Sequence, residues 1–168
     1  MRLEIQDSKP DPEVDAFYLI HKNFLNIHNI LGVDISTKAI EFANNHYRDS
    51  TLFYKTFDIL KEDIKSFFDI SVSSNTLEHF KNPHYVIDKM LSFSKNAIIL
   101  VPYMQPCNEN YEGEGGAGHV FTFSESTFDK YEIIDYFIFK TNGWTFSSKG
   151  EDPLQLAILF TKSKTLKQ

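Results

Sequence analysis

Ile30-Leu31-Gly32-Val33-Asp34-Ile35-Ser36 is the stretch on which the fold turns. An apolar run ends in Asp34, and Ser36 is a residue type that caps helices. The pattern predicts a parallel strand over 29–34 feeding a helix. In nucleotide-binding α/β folds an acid at such a strand end holds a ribose hydroxyl, and it follows a glycine-rich turn about 20 residues upstream. No glycine precedes Gly32 in this chain. Asp34 thus reads as one half of a cofactor site whose other half is altered or missing. The competing reading is a turn aspartate that caps the next helix.

Further out, strand and helix patterns alternate. Leu3-Glu4-Ile5 is a short strand-like piece, and Asp11-Pro12-Glu13 reads as a helix start carrying Val14, Phe17, Tyr18, His21 and Leu25 at helical spacing. The helix after Ser36 has Ile40, Ala43 and Tyr47 on its inner face. A strand is expected over 51–57, stopping at Asp58, and a buried parallel strand over 68–75. Asn82-Pro83 opens a helix with Val86, Ile87, Met90 and Leu91 on one side. Ala97-Ile98-Ile99-Leu100-Val101 is the most apolar strand, as a central parallel strand is. Phe128, Tyr131, Ile134 and Ile138 predict a last helix from Ser124, closed by Gly143. Strands over 144–149 and 156–161 then form a hairpin around Gly150-Glu151-Asp152-Pro153. The expectation is a single α/β domain over 1–168, with helices on both faces of a mostly parallel sheet and a C-terminal antiparallel hairpin.

A chain of 168 residues with 42% hydrophobic and 15% aromatic residues can bury a full core. The net charge of -6 argues against nucleic-acid or anionic-membrane partners, which want a basic face. No apolar run approaches the roughly 18 residues of a membrane span. The first residues lack a signal-peptide core, and Cys107 is the single cysteine. The expected location is the cytoplasm.

In sheets of this kind ligands sit beyond the carboxyl ends of the strands. The residues there resemble the class I S-adenosylmethionine-dependent methyltransferases. Gly32-Val33-Asp34-Ile35-Ser36, then Ala39-Ile40 and Ala43, then Asp58 carry the likeness. Its most specific part runs from Phe68-Asp69-Ile70 through Ser74-Asn75-Thr76-Leu77-Glu78-His79-Phe80 to Asn82-Pro83. The resemblance implies a Rossmann-like seven-stranded sheet and methyl transfer from S-adenosylmethionine to a small-molecule acceptor, a hydroxyl of a sugar or related metabolite. It implies that Asp34 accepts from the ribose hydroxyls and Ile35 packs on the adenine. Asp58 would accept from the adenine amino group with Ile59 beside it, and Asn75 would lie near the methionine part.

The departure is Gln6-Asp7-Ser8-Lys9-Pro10, which stands where the family has glycines that let the backbone approach the cofactor. Two readings stay open: an enzyme with an altered loop, or a non-catalytic methyltransferase-like domain that docks a protein partner.

Each candidate also has a plain structural reading. Asp58 fits an exposed turn acid, Asn75 a backbone cap, and Tyr103 packing as well as substrate contact. Methyl transfer to a hydroxyl needs a base, and His119 and His79 are the candidates because imidazole titrates near neutral pH. Either is equally read as a solvated histidine. The glycines of 113–118 follow no strand directly and lie among Glu109, Glu112 and Glu114, so they read as a lid or surface loop and not a phosphate cradle. Glu78, His79, His84 and His119 are metal-ligating types, but no spacing among them matches a metal motif, so no metal is assigned. Tyr85 and Lys89 have the four-residue spacing of a dehydrogenase pair, without the glycine turn that such enzymes need.

Overall fold

The computed structural model describes residues 28–47, 49–107, 118–140 and 154–162. The Leu3-Glu4-Ile5 piece, Gln6 to Pro10, the helix from Asp11, most of the 113–118 glycine loop, Gly143, the 144–149 strand and its turn lie outside them. The chain divides into two compact units, Met1–Asp63 and Ile64–Gln168.

In the first unit β1 (Ile30–Asp34) and β2 (Leu52–Thr56) pair in parallel, with Asp34 opposite Thr56. Helix α1 (Thr37–His46) packs against both. Ser36 caps it as expected, its hydroxyl accepting from the Ala39 N–H at 3.3 Å. Ile40 and Ala43 are buried with Ile30, Leu52 and Phe57. Gly32 sits opposite Tyr54, and a Cβ at Gly32 would lie 2.7 Å from that ring's Cδ1. The glycine is there to seat the ring against the backbone.

The second unit is a four-stranded sheet in the order β3-β4-β6-β5. Its strands are β3 (Phe68–Ser74), β4 (Ser94–Pro102), β5 (Glu132–Lys140) and β6 (Leu154–Thr161). β4 runs parallel to β3 and antiparallel to β6, and β5 is antiparallel to β6. Helix α2 (Pro83–Phe93) starts as expected, with the Asn82 side chain accepting from the Tyr85 N–H and Pro83 in the first turn. It lies against β3 and β4. Its Val86, Ile87, Met90 and Leu91 are buried, as are Ala97, Ile99 and Val101 of β4 and Leu156, Ile158 and Phe160 of β6. Phe123, Phe128 and Phe160 extend this core as a ring series, with centroids 5.9 and 5.5 Å apart.

Three expectations need correction. The helix from Ser124 is only a 3-10 turn, Glu125–Phe128, followed by β5. Its sequence, Ile133-Ile134-Asp135-Tyr136-Phe137-Ile138-Phe139, is β-branched and aromatic and finds backbone partners along β6. Capping at Ser124, whose N–H donates to the Thr127 hydroxyl at 3.1 Å, sustains one turn and no more. The last strand, β6, thus has β5 on one edge and β4 on the other, both antiparallel. Second, the described strands are six, two of their pairings parallel and two antiparallel, so the arrangement is mixed. Third, β3 is not buried: it stands at one end of the four-strand order, and Ile70 is 47% exposed.

Gly32→Ala forces the Tyr54 ring to move and is expected to cost about 1–3 kcal/mol, as overpacking does. A denaturant melt would register it as a lower midpoint with an unchanged slope.

Candidate functional site

In the first unit the sequence-predicted acids gather at one end of the sheet. β1 and β2 are parallel, so Asp34 and Asp58 both follow from carboxyl ends, and the Phe57 N–H donates to the Asp34 carbonyl at 2.8 Å. The Asp34 carboxylate accepts from the Ser36 N–H, the plain capping role. A carboxylate has more acceptor sites than this one bond uses. Ile35 beside it is 71% exposed, an apolar surface next to an acid. Asp58 accepts from the Leu60 N–H at 3.0 Å and from Lys61 Nζ at 2.9 Å. The lysine's hydrogen bond holds the Asp58 carboxyl below its usual range. Ile59 is half-buried.

In the second unit β3 and β4 end side by side. Asn75 follows β3 with φ of 49°, a left-handed backbone that asparagine tolerates better than most residues. Its N–H donates to the Leu100 carbonyl at 2.8 Å, while its Oδ1 is buried without a hydrogen-bond partner among the described residues. Such a combination marks a strained site with an acceptor still to be satisfied. Tyr103 follows β4, and its hydroxyl donates to the Glu125 carboxylate at 3.1 Å. That bond raises the Tyr103 pKa, so the phenol is a poor base.

The two predicted histidines come together, although 40 residues separate them in sequence. His79 lies in a 3-10 turn, Leu77–His79, directly after β3. The segment from Gly118 folds back on this turn. Val120 and Phe121 both donate their N–H to the Glu78 carbonyl, at 2.8 and 3.2 Å. The ring centroids of His79 and His119 are 5.2 Å apart. Gly118 accepts from His79 Nδ1 at 3.1 Å. A carbonyl only accepts, so Nδ1 carries the proton and Nε2 keeps the free electron pair.

Glu78 belongs to this site and was not among the predicted catalytic residues. Its side chain is only 2% exposed, and its Oε1 lies 3.9 Å from His119 Nε2. Burial pushes the Glu78 carboxyl up to about 7. Burial, and then the neighbouring His79, lowers the His119 pKa. Both shifts favour uncharged forms, so the contact is a polar pair and not a salt bridge. The sequence signal was the Glu-His pair after a strand. What it did not carry was the return of 118–121 onto that pair. His84 stays apart from this cluster: its Nδ1 is buried without a hydrogen-bond partner among the described residues, and burial lowers its pKa. Of the dehydrogenase-like spacing, Lys89 Nζ lies 5.9 Å from the Tyr85 ring centroid, over the ring face.

The buried Glu78 gives a signed pH dependence. Its folded pKa of about 7 exceeds the unfolded 4.5, so no penalty exists below pH 4.5 and stability is lost as pH rises to about 7. The loss is on the order of 3 kcal/mol. Denaturant melts of the chelator-treated protein across that window are expected to show it. Glu78→Gln should flatten the curve.

Residues 16–96 match the family model for the methyltransferase domain. Among solved structures the chain is similar to TehB from Haemophilus influenzae, at 14% identity and TM-score 0.54 over 80% of this chain and 50% of that one. It is similar to a SAM-dependent methyltransferase from Methanosarcina mazei, at 15% identity and TM-score 0.59 over 80% and 82%. It is also similar to the N-methyltransferase NodS from Bradyrhizobium japonicum in complex with S-adenosyl-L-homocysteine, at 17% identity and TM-score 0.60 over 81% and 67%. The chain spans half the length of TehB. No curated protein matches it. The order β3-β4-β6-β5, with its one reversed strand, β6, and the parallel β1-β2 pair are thus not a generic α/β arrangement. Residues 16–96 match the methyltransferase-domain model, and the fold of the chain is that of the class I S-adenosylmethionine-dependent methyltransferases.

Proposed function

We propose that the chain transfers a methyl group from S-adenosylmethionine to an oxygen of a small-molecule acceptor, a sugar hydroxyl or one of a related metabolite. The observation that carries this reading is the methyltransferase-domain match over 16–96, within which Asp34, Asp58 and Asn75 each follow the carboxyl end of a parallel strand. Bound there, the cofactor supplies an electrophilic methyl group on a sulfonium, with its own leaving group. Taken unit by unit, the residues present suit separate parts of such a molecule. Asp34 retains acceptor capacity for ribose hydroxyls, and exposed Ile35 offers apolar surface to a base. Asp58, with Ile59, would accept from the adenine amino group. The buried, unsatisfied Oδ1 of Asn75 suits a donor on the methionine part.

The protein's work is then to position the acceptor and to take its proton, since a neutral alcohol is a poor nucleophile. His79 is exposed with its Nδ1 bound to the Gly118 carbonyl, and His119, whose pKa is lowered by burial, sits beside it, so either would serve as base. Tyr103, which follows β4, would contact the acceptor. The reading includes the family's seven-stranded sheet with helices on both faces, and a cytoplasmic location without membrane or nucleic-acid partners. No helix among the described residues is long and apolar enough to cross a membrane.

A second reading, a non-catalytic methyltransferase-like domain that docks a protein partner, draws on strand β5. Phe137 is 61% exposed and Ile134 53%.

Calorimetric titration with S-adenosylmethionine is expected to give saturable binding. Asp34→Asn keeps the acceptor for the Ser36 N–H but loses the charge. It should weaken binding about 10–100-fold, the worth of one hydrogen bond to a charged group. A chain that binds no cofactor at any concentration reached, yet captures a partner through β5, would be the docking domain instead.

A further inference from the structure

We propose that Glu78, His79 and His119 form a site for one divalent transition-metal ion of the zinc type. One donor atom from each residue lies within 4.8 Å of the other two. Two imidazoles and a carboxylate suit zinc and its first-row neighbours, whereas magnesium and calcium select oxygen.

Glu78 supplies an independent indication. Its side chain is 2% exposed, and its Oε2 is buried without a hydrogen-bond partner among the described residues. A buried carboxylate oxygen left unsatisfied is costly, and a cation meets that need. The surroundings of His79 are those of a ligand. The Gly118 carbonyl holds its Nδ1 proton, which leaves Nε2 as the ligating nitrogen, as outer-shell partners of metal-bound histidines do. The backbone bonds from Val120 and Phe121 to the Glu78 carbonyl hold the two ligand-bearing segments in register before any ion arrives.

Ligands about 2.0–2.2 Å from a tetrahedral ion stand roughly 3.3 Å apart, so binding draws a pair 4.8 Å apart in by about 1.5 Å. Exposed His79 has the rotamer freedom for that. Three protein ligands leave at least one position open, which water or an oxygen of the acceptor fills. This deepens the proposed function at the same site. With an ion in place the imidazoles hold the cation. The bound hydroxyl then loses its proton to solvent because the cation lowers its pKa. Metal binding itself requires neither methyl donor nor acceptor. A failed cofactor titration therefore leaves it standing, and a failed metal titration leaves the methyltransferase reading with a histidine base.

The test is cobalt(II) titration of the full, tag-free, chelator-stripped chain, followed by its visible absorption, with zinc(II) as competitor. One equivalent per chain is expected, displaced by zinc. His79→Ala and Glu78→Gln should each weaken binding more than about 100-fold, beyond what loss of an outer-shell partner costs. His46→Ala, an exposed histidine in the other unit, should leave binding unchanged. Glu78 is buried and His79 exposed, so His79→Ala, which leaves the core intact, is the deciding variant. Absence of stoichiometric binding, or His79→Ala binding as tightly as the parent chain, overturns the site.

Discussion

Strand β4 has both of its backbone edges engaged, one by a parallel neighbour and one by an antiparallel neighbour. That constraint organises the whole Ile64–Gln168 unit. A parallel edge requires a crossover, which is why the 3-10 turn and α2 lie between β3 and β4. The crossover leaves from the carboxyl end of β3, so Asn75, Glu78 and His79 are presented beside the end of β4. The antiparallel edge requires no crossover, and β6 with β5 closes that side. Ala97, Ile99 and Val101 of β4 are fully buried, so chemistry at the strand ends rests on a core that gives little.

The second constraint is local. One carbonyl, that of Glu78, receives two N–H groups from a segment 42 and 43 residues further along. Those bonds bring His119 to His79 and seal the Glu78 side chain away from water. Burying a carboxyl costs stability, and natural chains keep such costs mostly where the buried group has work to do. Elsewhere in the unit polar contacts tie elements together at the surface. Tyr131 donates to Asp88 at 2.9 Å, with Lys130 at 3.0 Å from the same carboxylate, fixing the entry of β5 to α2. The exposed Lys130–Asp88 pair contributes little energy, while buried Tyr131 anchors the contact.

Most elements were legible because their signals are local. Ser36 and Asn82-Pro83 announced two helix starts, and the apolar run at 97–101 announced the central strand. Asp34, Asp58 and Asn75 could be placed at strand ends for the same reason. The segment after Ser124 was misread because Phe128, Tyr131, Ile134 and Ile138 fit a helical stripe. Only the pairing edge of β6, remote in sequence, decides against it. The exposure of β3 likewise depends on its position in the strand order, which its own residues do not encode. Glu78, His79 and His119 stood out as metal-ligating types, but their meeting was not legible, for a related reason. Glu78 and His79 are adjacent, but His119 reaches them through a chain reversal that no spacing rule describes.

Strand β5 carries an irregularity with its own consequence. Ile133 pairs with Phe160 and Asp135 with Leu159, so Ile134 is an extra residue with no partner across the ladder. Ile133 and Tyr136 consequently face the same side of the sheet although they are three positions apart. Removing Ile134 would convert the strand to regular alternation and leave every other pairing where it stands. Removing a residue beyond it, such as Phe137, would carry the rest of the strand to the opposite face. The bulge is therefore a length buffer: along β5, it is the one position where the chain can be shortened by a residue without rewriting which side chains meet the core.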